Sequence, residues 1–112
     1  MSGHKADLLK GTLDMLVLQA LSHGSQHGYG VARWIEARTE GALQIEEGSL
    51  YPALYRMSRR GWVSSRWGSS ENGRRARYYA LTDEGRVRLE TEARSWSRLV
   101  SAIGRIVPQR AR

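Results

Sequence analysis

The sequence predicts a mainly α-helical chain with one small β-hairpin. Three observations carry this. Apolar residues recur at helical spacing in three successive segments before residue 61. An Asn72-Gly73 pair then separates two short segments that hold four of the chain's nine Trp and Tyr residues. After Thr82 a last segment repeats apolar residues in steps of 4, 3, 4, 3 and 4, the rhythm of a coiled-coil seam.

Residues 1–7 read as a loose end. Residues 8–22 are dense in apolar side chains, and Leu13, Leu16, Val17, Ala20 and Leu21 share one helical stripe. Met15 and Leu18 lie off it, so the first helix is expected to be covered from more than one side. One face suits its own domain and another a second subunit. Residues 23–28, His-Gly-Ser-Gln-His-Gly, read as a turn. Residues 29–39 read as the second helix, with Val31, Ala32 and Ile35 inward, Arg33, Glu36 and Arg38 outward, and Gly41 placed to end it. Residues 42–45 are a short link or a brief strand.

In the third helix Leu50, Ala53, Leu54 and Met57 fall at i, i+3, i+4 and i+7, an inward face. Its start depends on Pro52. A start near Ser49 puts the proline in the first turn, where its missing N–H costs nothing, and is the expected boundary. A start at Glu46 or Glu47 would break one hydrogen bond. Gly61 closes this helix. Residues 62–67 and 77–81 are strand-like around a polar loop, 68–76. Trp62 and Trp67 are expected to anchor this hairpin, and of Tyr78 and Tyr79 one faces in and the other out. Its tip is basic, with Arg74, Arg75 and Arg77. Thr82 is an N-cap followed by Asp83 and Glu84. The last helix is expected to run to Val107 and to stop at Pro108. Its seam is Leu89, Ala93, Trp96, Val100, Ile103 and Val107, widened by Leu99 and Ile106. A helix this long and one-sided has more apolar face than a small domain covers, so a second copy of the chain is the expected partner.

With 112 residues the chain suffices for one domain and can bury about two-thirds of its unfolded surface. The absence of cysteine excludes disulfides, thiolate metal sites and a cysteine nucleophile. The longest apolar run is Met15-Leu16-Val17-Leu18, so no membrane span is expected. Net charge is +7, which favours a polyanionic partner. The excess is unevenly placed. Residues 1–43 sum to zero, residues 44–81 to +4 and residues 82–112 to +3, and past residue 43 every basic group is arginine. Arginine grips phosphate with a fork and reads guanine edges.

The order helix, helix, helix, hairpin, helix is that of a winged helix-turn-helix domain, residues 1–81, with a C-terminal dimerisation helix and tail, residues 82–112. In such a fold the third helix enters the major groove and the hairpin reaches along the backbone. Ser49, Tyr51, Pro52, Tyr55, Arg56 and Arg59 lie on the outer side of the third helix, a mixture of hydroxyls, rings and guanidinium groups suited to bases and phosphates. Ser49, Tyr55 and Arg56 are expected to read sequence, and Arg74, Arg75 and Arg77 to hold phosphate or the minor groove. Glu46 and Glu47 would repel phosphate, so they must point away from DNA or sit over base edges.

Gly11-Thr12-Leu13, His27-Gly28-Tyr29, residues 48–54 (Gly-Ser-Leu-Tyr-Pro-Ala-Leu) and residues 77–82 (Arg-Tyr-Tyr-Ala-Leu-Thr) with Gly85 together resemble the PadR family of bacterial transcriptional regulators, in matching order over residues 8–107. The resemblance implies a dimeric winged-helix protein of the short branch with a single C-terminal helix. It also implies repression from an inverted-repeat operator, with the C-terminal helix packed against the partner's N-terminal helix. Related regulators bind aromatic or drug-like molecules at the subunit interface. Trp96 is first of all dimer packing, and on this resemblance also a candidate wall for a small aromatic effector.

His4, His23 and His27 have no carboxylate cluster with them, so no metal is expected. No nucleophile elbow or phosphate-binding loop is present, so neither enzyme activity nor a cofactor is expected. The expected partners are double-stranded DNA, a second copy of the chain and a small effector, in the cytoplasm. The rival reading is a non-specific or architectural basic nucleic-acid-binding protein, which would bind with little regard for sequence.

Overall fold

A computed structural model describes the backbone of residues 2–108 and the side chains of residues 12–108. The chain runs α1 (Ser2–Leu21), β1 (Gln26–His27), α2 (Gly28–Arg38), α3 (Glu47–Arg59), β2 (Val63–Ser69), β3 (Arg75–Leu81) and α4 (Asp83–Ile106). The three strands form one antiparallel sheet in the order β1-β3-β2. This is a mainly α winged helix-turn-helix fold. The side chains of His4, Leu8 and Leu9 lie outside the described residues, as does the tail after Pro108.

The core follows the periodicities. Leu13, Val17, Leu18 and Leu21 of α1 meet Val31 and Ile35 of α2 and Leu50, Leu54 and Met57 of α3, and Val63 and Tyr79 close the sheet side. Both sides of α1 are covered, as its off-stripe residues predict: Leu18 is buried, and Met15 is half-buried beside α4.

Several local expectations are corrected. Residues 2–7, expected to be loose, form the first turns of α1. The expected turn at residues 23–28 contains β1, whose Gln26 and His27 pair with Tyr79 and Tyr78. His27 then caps α2, its Nδ1 accepting the Gly30 N–H at 2.9 Å. At the other end of α2 the left-handed turn begins one residue before Gly41, at Glu40 (φ 52°). The Gly41 N–H reaches back to the Glu36 carbonyl at 2.8 Å. Residues 42–45 form no strand. The link is tied down instead by Glu36, which accepts the Ile45 N–H at 3.2 Å, and by Thr39, which accepts the Leu43 N–H at 3.1 Å.

The third helix starts at Glu47, not near Ser49, and Pro52 lies inside it. The helix tolerates this because the carbonyl deprived of a donor is that of Gly48, four residues back, and Gly48 is exposed to water. The hairpin is longer than expected, pairing Val63 with Leu81 through to Ser69 with Arg75. Its turn is closed by Gly73 (φ 81°), whose N–H donates to the Ser70 carbonyl at 2.9 Å. That is a three-residue loop with glycine in the left-handed position. Trp62 packs against the core but Trp67 does not, so only one of the two tryptophans anchors the hairpin.

Thr82 caps α4 as expected, accepting the Gly85 N–H at 3.0 Å, while its hydroxyl donates to the Gly61 carbonyl at 2.6 Å. Helix α4 ends at Ile106, one residue short of Val107. Leu89 packs on the chain's own core. Beyond it Trp96, Leu99, Val100 and Ile103 are each 44–50% exposed, and Ile106 and Val107 more so.

Candidate nucleic-acid interface

Burying Leu50, Ala53, Leu54 and Met57 leaves Gly48, Pro52, Tyr55 and Arg59 as the outermost line of α3, at i, i+4, i+7 and i+11. Tyr55 and Arg59 act as one unit. The Arg59 guanidinium lies 5.8 Å from the Tyr55 ring centre, and its Nη1 donates to the tyrosine oxygen at 3.2 Å. Ser49 and Arg56 share the flank facing α1. There Arg56 is in an ion pair, its Nη2 2.9 Å from Oδ1 of Asp14. Tyr51 takes the opposite flank and lies against α2, so close to Gly28 that a Cβ there would sit 2.7 Å from its ring. Burial, and then the nearby Glu47 and Tyr79, raise the Tyr51 phenol above its ordinary 10.0. It is therefore a neutral hydroxyl that can donate as well as accept. Helical position puts Glu47 on the same flank as Tyr51, off the outermost line of α3.

The wing is the free end of the hairpin. Arg74, Arg75 and Arg77 are all exposed, as is Trp67. The guanidinium groups of Arg75 and Arg77 lie 4.8 Å and 5.4 Å from the Trp67 ring centre. On the other face of β3, Tyr78 packs edge-on against His27 at 5.4 Å and donates to the Ser69 carbonyl at 2.9 Å. These contacts stiffen the junction between wing and β1.

The N-terminal turn of α2 completes the arrangement. Exposed Tyr29 and Arg33 stack one turn apart, 5.8 Å from guanidinium to ring. An open groove of about 850 Å³ runs between α2 and the wing, lined by Tyr29, Arg33, Tyr51, Arg74, Arg75 and Arg77 among others. The structure thus joins Tyr51 to the wing arginines and leaves Ser49 and Arg56 on the far flank of α3. Tyr29 and Arg33 were missed from sequence. Their signal was an outward Tyr–Arg pair at i, i+4 just after His27-Gly28.

The electrostatics suit a polyanion. Arg33, Arg59, Arg75 and Arg77 rest on aromatic faces. Among the described residues none of them has a carboxylate within ion-pair distance. Their charge is therefore not neutralised and is held in a few orientations. Among the described residues no group of three His, Asp or Glu side chains could hold a metal. No helix among them is long and apolar enough to cross a membrane.

A second groove, of about 600 Å³, lies between α1 and α4, with Met15, Trp96 and Leu99 in its walls. It is open and mainly apolar, with Glu92 and Arg98 also lining it.

Comparison with known proteins agrees with this geometry. The model of the transcriptional regulator PadR-like family matches residues 17–91. The chain is 28% identical to a transcriptional regulator from Clostridium thermocellum of known structure, with a TM-score of 0.82 over 90% of this chain and 98% of that one. It is 26% identical to a PadR-like transcriptional regulator from Bacillus cereus, with a TM-score of 0.78 over 93% and 99%. It is also 42% identical to a 37.1 kDa protein in transposon TN4556 of Streptomyces fradiae, over 76% of this chain and 23% of that protein.

Proposed function

The chain belongs to the transcriptional regulator PadR-like family, and from that premise we propose that this DNA-binding regulator is a cytoplasmic repressor acting as a homodimer on an inverted-repeat operator. The observation that carries the proposal is the groove in which Tyr51, Arg33 and the wing arginines converge; Glu71 lines it too, but among the described residues none of these arginines is in an ion pair. In this reading residues 1–81 are the DNA-binding unit and residues 82–112 the dimerisation helix and tail. The exposed part of the seam, Trp96, Val100, Ile103 and Val107, meets the partner. Leu89 and Ala93 begin the same stripe nearer the chain's own core. Two recognition helices then read half-sites about one helical turn apart.

Within this reading Arg74, Arg75 and Arg77 hold backbone, while Ser49, Tyr55, Arg56 and Arg59 face bases or flanking phosphates. For Arg56 the role requires exchange of Asp14 for DNA, an exposed ion pair of the kind worth about 1 kcal/mol or less. Selection from a random DNA pool at physiological salt tests the whole reading. An enriched inverted repeat is expected, and a pool without enrichment would indicate an architectural, non-specific binder. On the selected site and on random DNA, Arg74→Ala with Arg75→Ala should weaken binding alike. It should also flatten the salt dependence by about one log–log unit per lost phosphate contact. Arg56→Ala should cost about 1–3 kcal/mol on the selected site and much less on random DNA. Equal losses on both would make Arg56 a phosphate anchor.

A small aromatic effector is proposed for the groove beside Trp96. Aromatic compounds should quench tryptophan fluorescence and weaken operator binding over the same concentration range, and Trp96→Phe should remove the quenching. Quenching with no change in DNA affinity would refute an effector role, since a ligand shifts function only by binding two states unequally.

A further inference from the structure

The exposed tryptophan of the wing has no place in the core, and its surroundings give it a task. Alternation along the hairpin puts Val63, Ser65, Trp67, Arg75, Arg77 and Tyr79 on one face. At the base of the hairpin that face is buried, at Val63 and Tyr79. Toward the tip it overhangs the body and is open, with Trp67 55% exposed. Trp67 and its two arginines therefore look toward the side on which the helices lie.

Trp67 stands directly across from Arg77, and Arg75 is its diagonal neighbour. Both guanidinium groups rest within 5.4 Å of its ring centre. Arg77 is held a second time, its Nε donating to Ser65 Oγ at 3.1 Å. This leaves the outer nitrogens of its fork for another acceptor. Two residues along a strand put the Cα atoms of Arg75 and Arg77 roughly 7 Å apart, so both side chains leave the same face of β3 close enough to meet the backbone of one DNA strand. A free arginine loses much side-chain freedom when it grips an anion. An arginine already laid on a ring loses less.

We propose that Trp67 is the positioning residue of the wing, its ring holding Arg75 and Arg77 as a preset pair for the DNA backbone. The inference rests on the DNA-binding reading above. Trp67 acts through the two arginines, not by reading bases.

The test is Trp67→Ala, Trp67→Phe and Trp67→Ala in an Arg75→Ala/Arg77→Ala background, each measured on selected and random DNA across a salt series. Trp67→Ala should weaken both by about three- to tenfold and leave the salt slope as in the wild type, because both arginines remain. Trp67→Phe should recover most of the loss, since a flat ring is what the arginines need. In the background lacking both arginines, Trp67→Ala should change binding little. Thermal unfolding should stay near the wild type, as the ring supports no core residue. An unchanged affinity in Trp67→Ala would overturn the inference, and so would an equal loss in the arginine-free background, which would make Trp67 a contact in its own right. Absence of salt-sensitive DNA binding in the wild type would refute the DNA-binding reading itself.

Discussion

Gly85→Ala should destabilise the chain by about 2–4 kcal/mol, against the trend for glycine in a helix. Replacing a helical glycine by alanine ordinarily gains up to about 1 kcal/mol. At Gly85, in the first turn of α4, a Cβ would run into the Trp62 carbonyl oxygen and lie 3.0 Å from its carbon and 2.8 Å from Leu81 Cδ1. That carbonyl cannot step aside, because it accepts the Thr82 N–H at 3.1 Å. Gly104, near the other end of α4, has nothing within 4 Å of the same added atom. Gly104→Ala should therefore be neutral or stabilise by up to about 1 kcal/mol. Urea unfolding of both variants gives the comparison. Equal midpoints for Gly85→Ala and the wild type would show that α4 can shift away from β2.

The second large effect concerns assembly. Trp96, Leu99, Val100, Ile103 and Ile106 are exposed along α4, and Val107 just past its end. Grouped on one stripe of a single helix, they make the kind of patch that marks an interface. Light scattering should give twice the chain mass of 12.7 kDa. Val100→Glu with Ile103→Glu places charge in that seam and should return the single-chain mass, because an unpaired buried charge is strongly unfavourable. Binding to an inverted repeat should then fall by about 100-fold or more, since each half-site is read alone. Binding to a single half-site should survive. A wild type that stays monomeric at micromolar concentration would defeat the dimer proposal, and with it the expectation of a two-fold operator.

What could be read from the sequence was whatever depends on neighbours along the chain. Leu50, Ala53, Leu54 and Met57 announced a buried helical face, and Thr82 announced a cap, because i, i+3 and i, i+4 relations need no tertiary knowledge. The third strand was invisible. Gln26 and His27 are too few for an alternating pattern, and they become a strand only because Tyr78 and Tyr79 arrive beside them. The ion pair of Arg56 joins residues 42 apart in sequence, so helical position alone showed Arg56 as outward and free. Trp67 was misplaced for a related reason. A tryptophan in a strand suggests core, but the hairpin outruns the core by residue 67, a length that only the register reveals.

The joint at the base of α4 has a mechanical consequence. Thr82 Oγ1 is tied to Gly61 at 2.6 Å and to Gly85 at 3.0 Å, and glycine at position 85 lets α4 press on the Trp62 backbone. The helix and the hairpin therefore turn as one rigid bracket. The 24 residues of α4 make an arm about 36 Å long, so an angle of about 5° at the joint sweeps the far end through about 3 Å. Run backwards, the same leverage is a reduction gear: a partner that grips the tip only loosely, with several ångströms of play, still sets the pointing direction of the hairpin to within a few degrees.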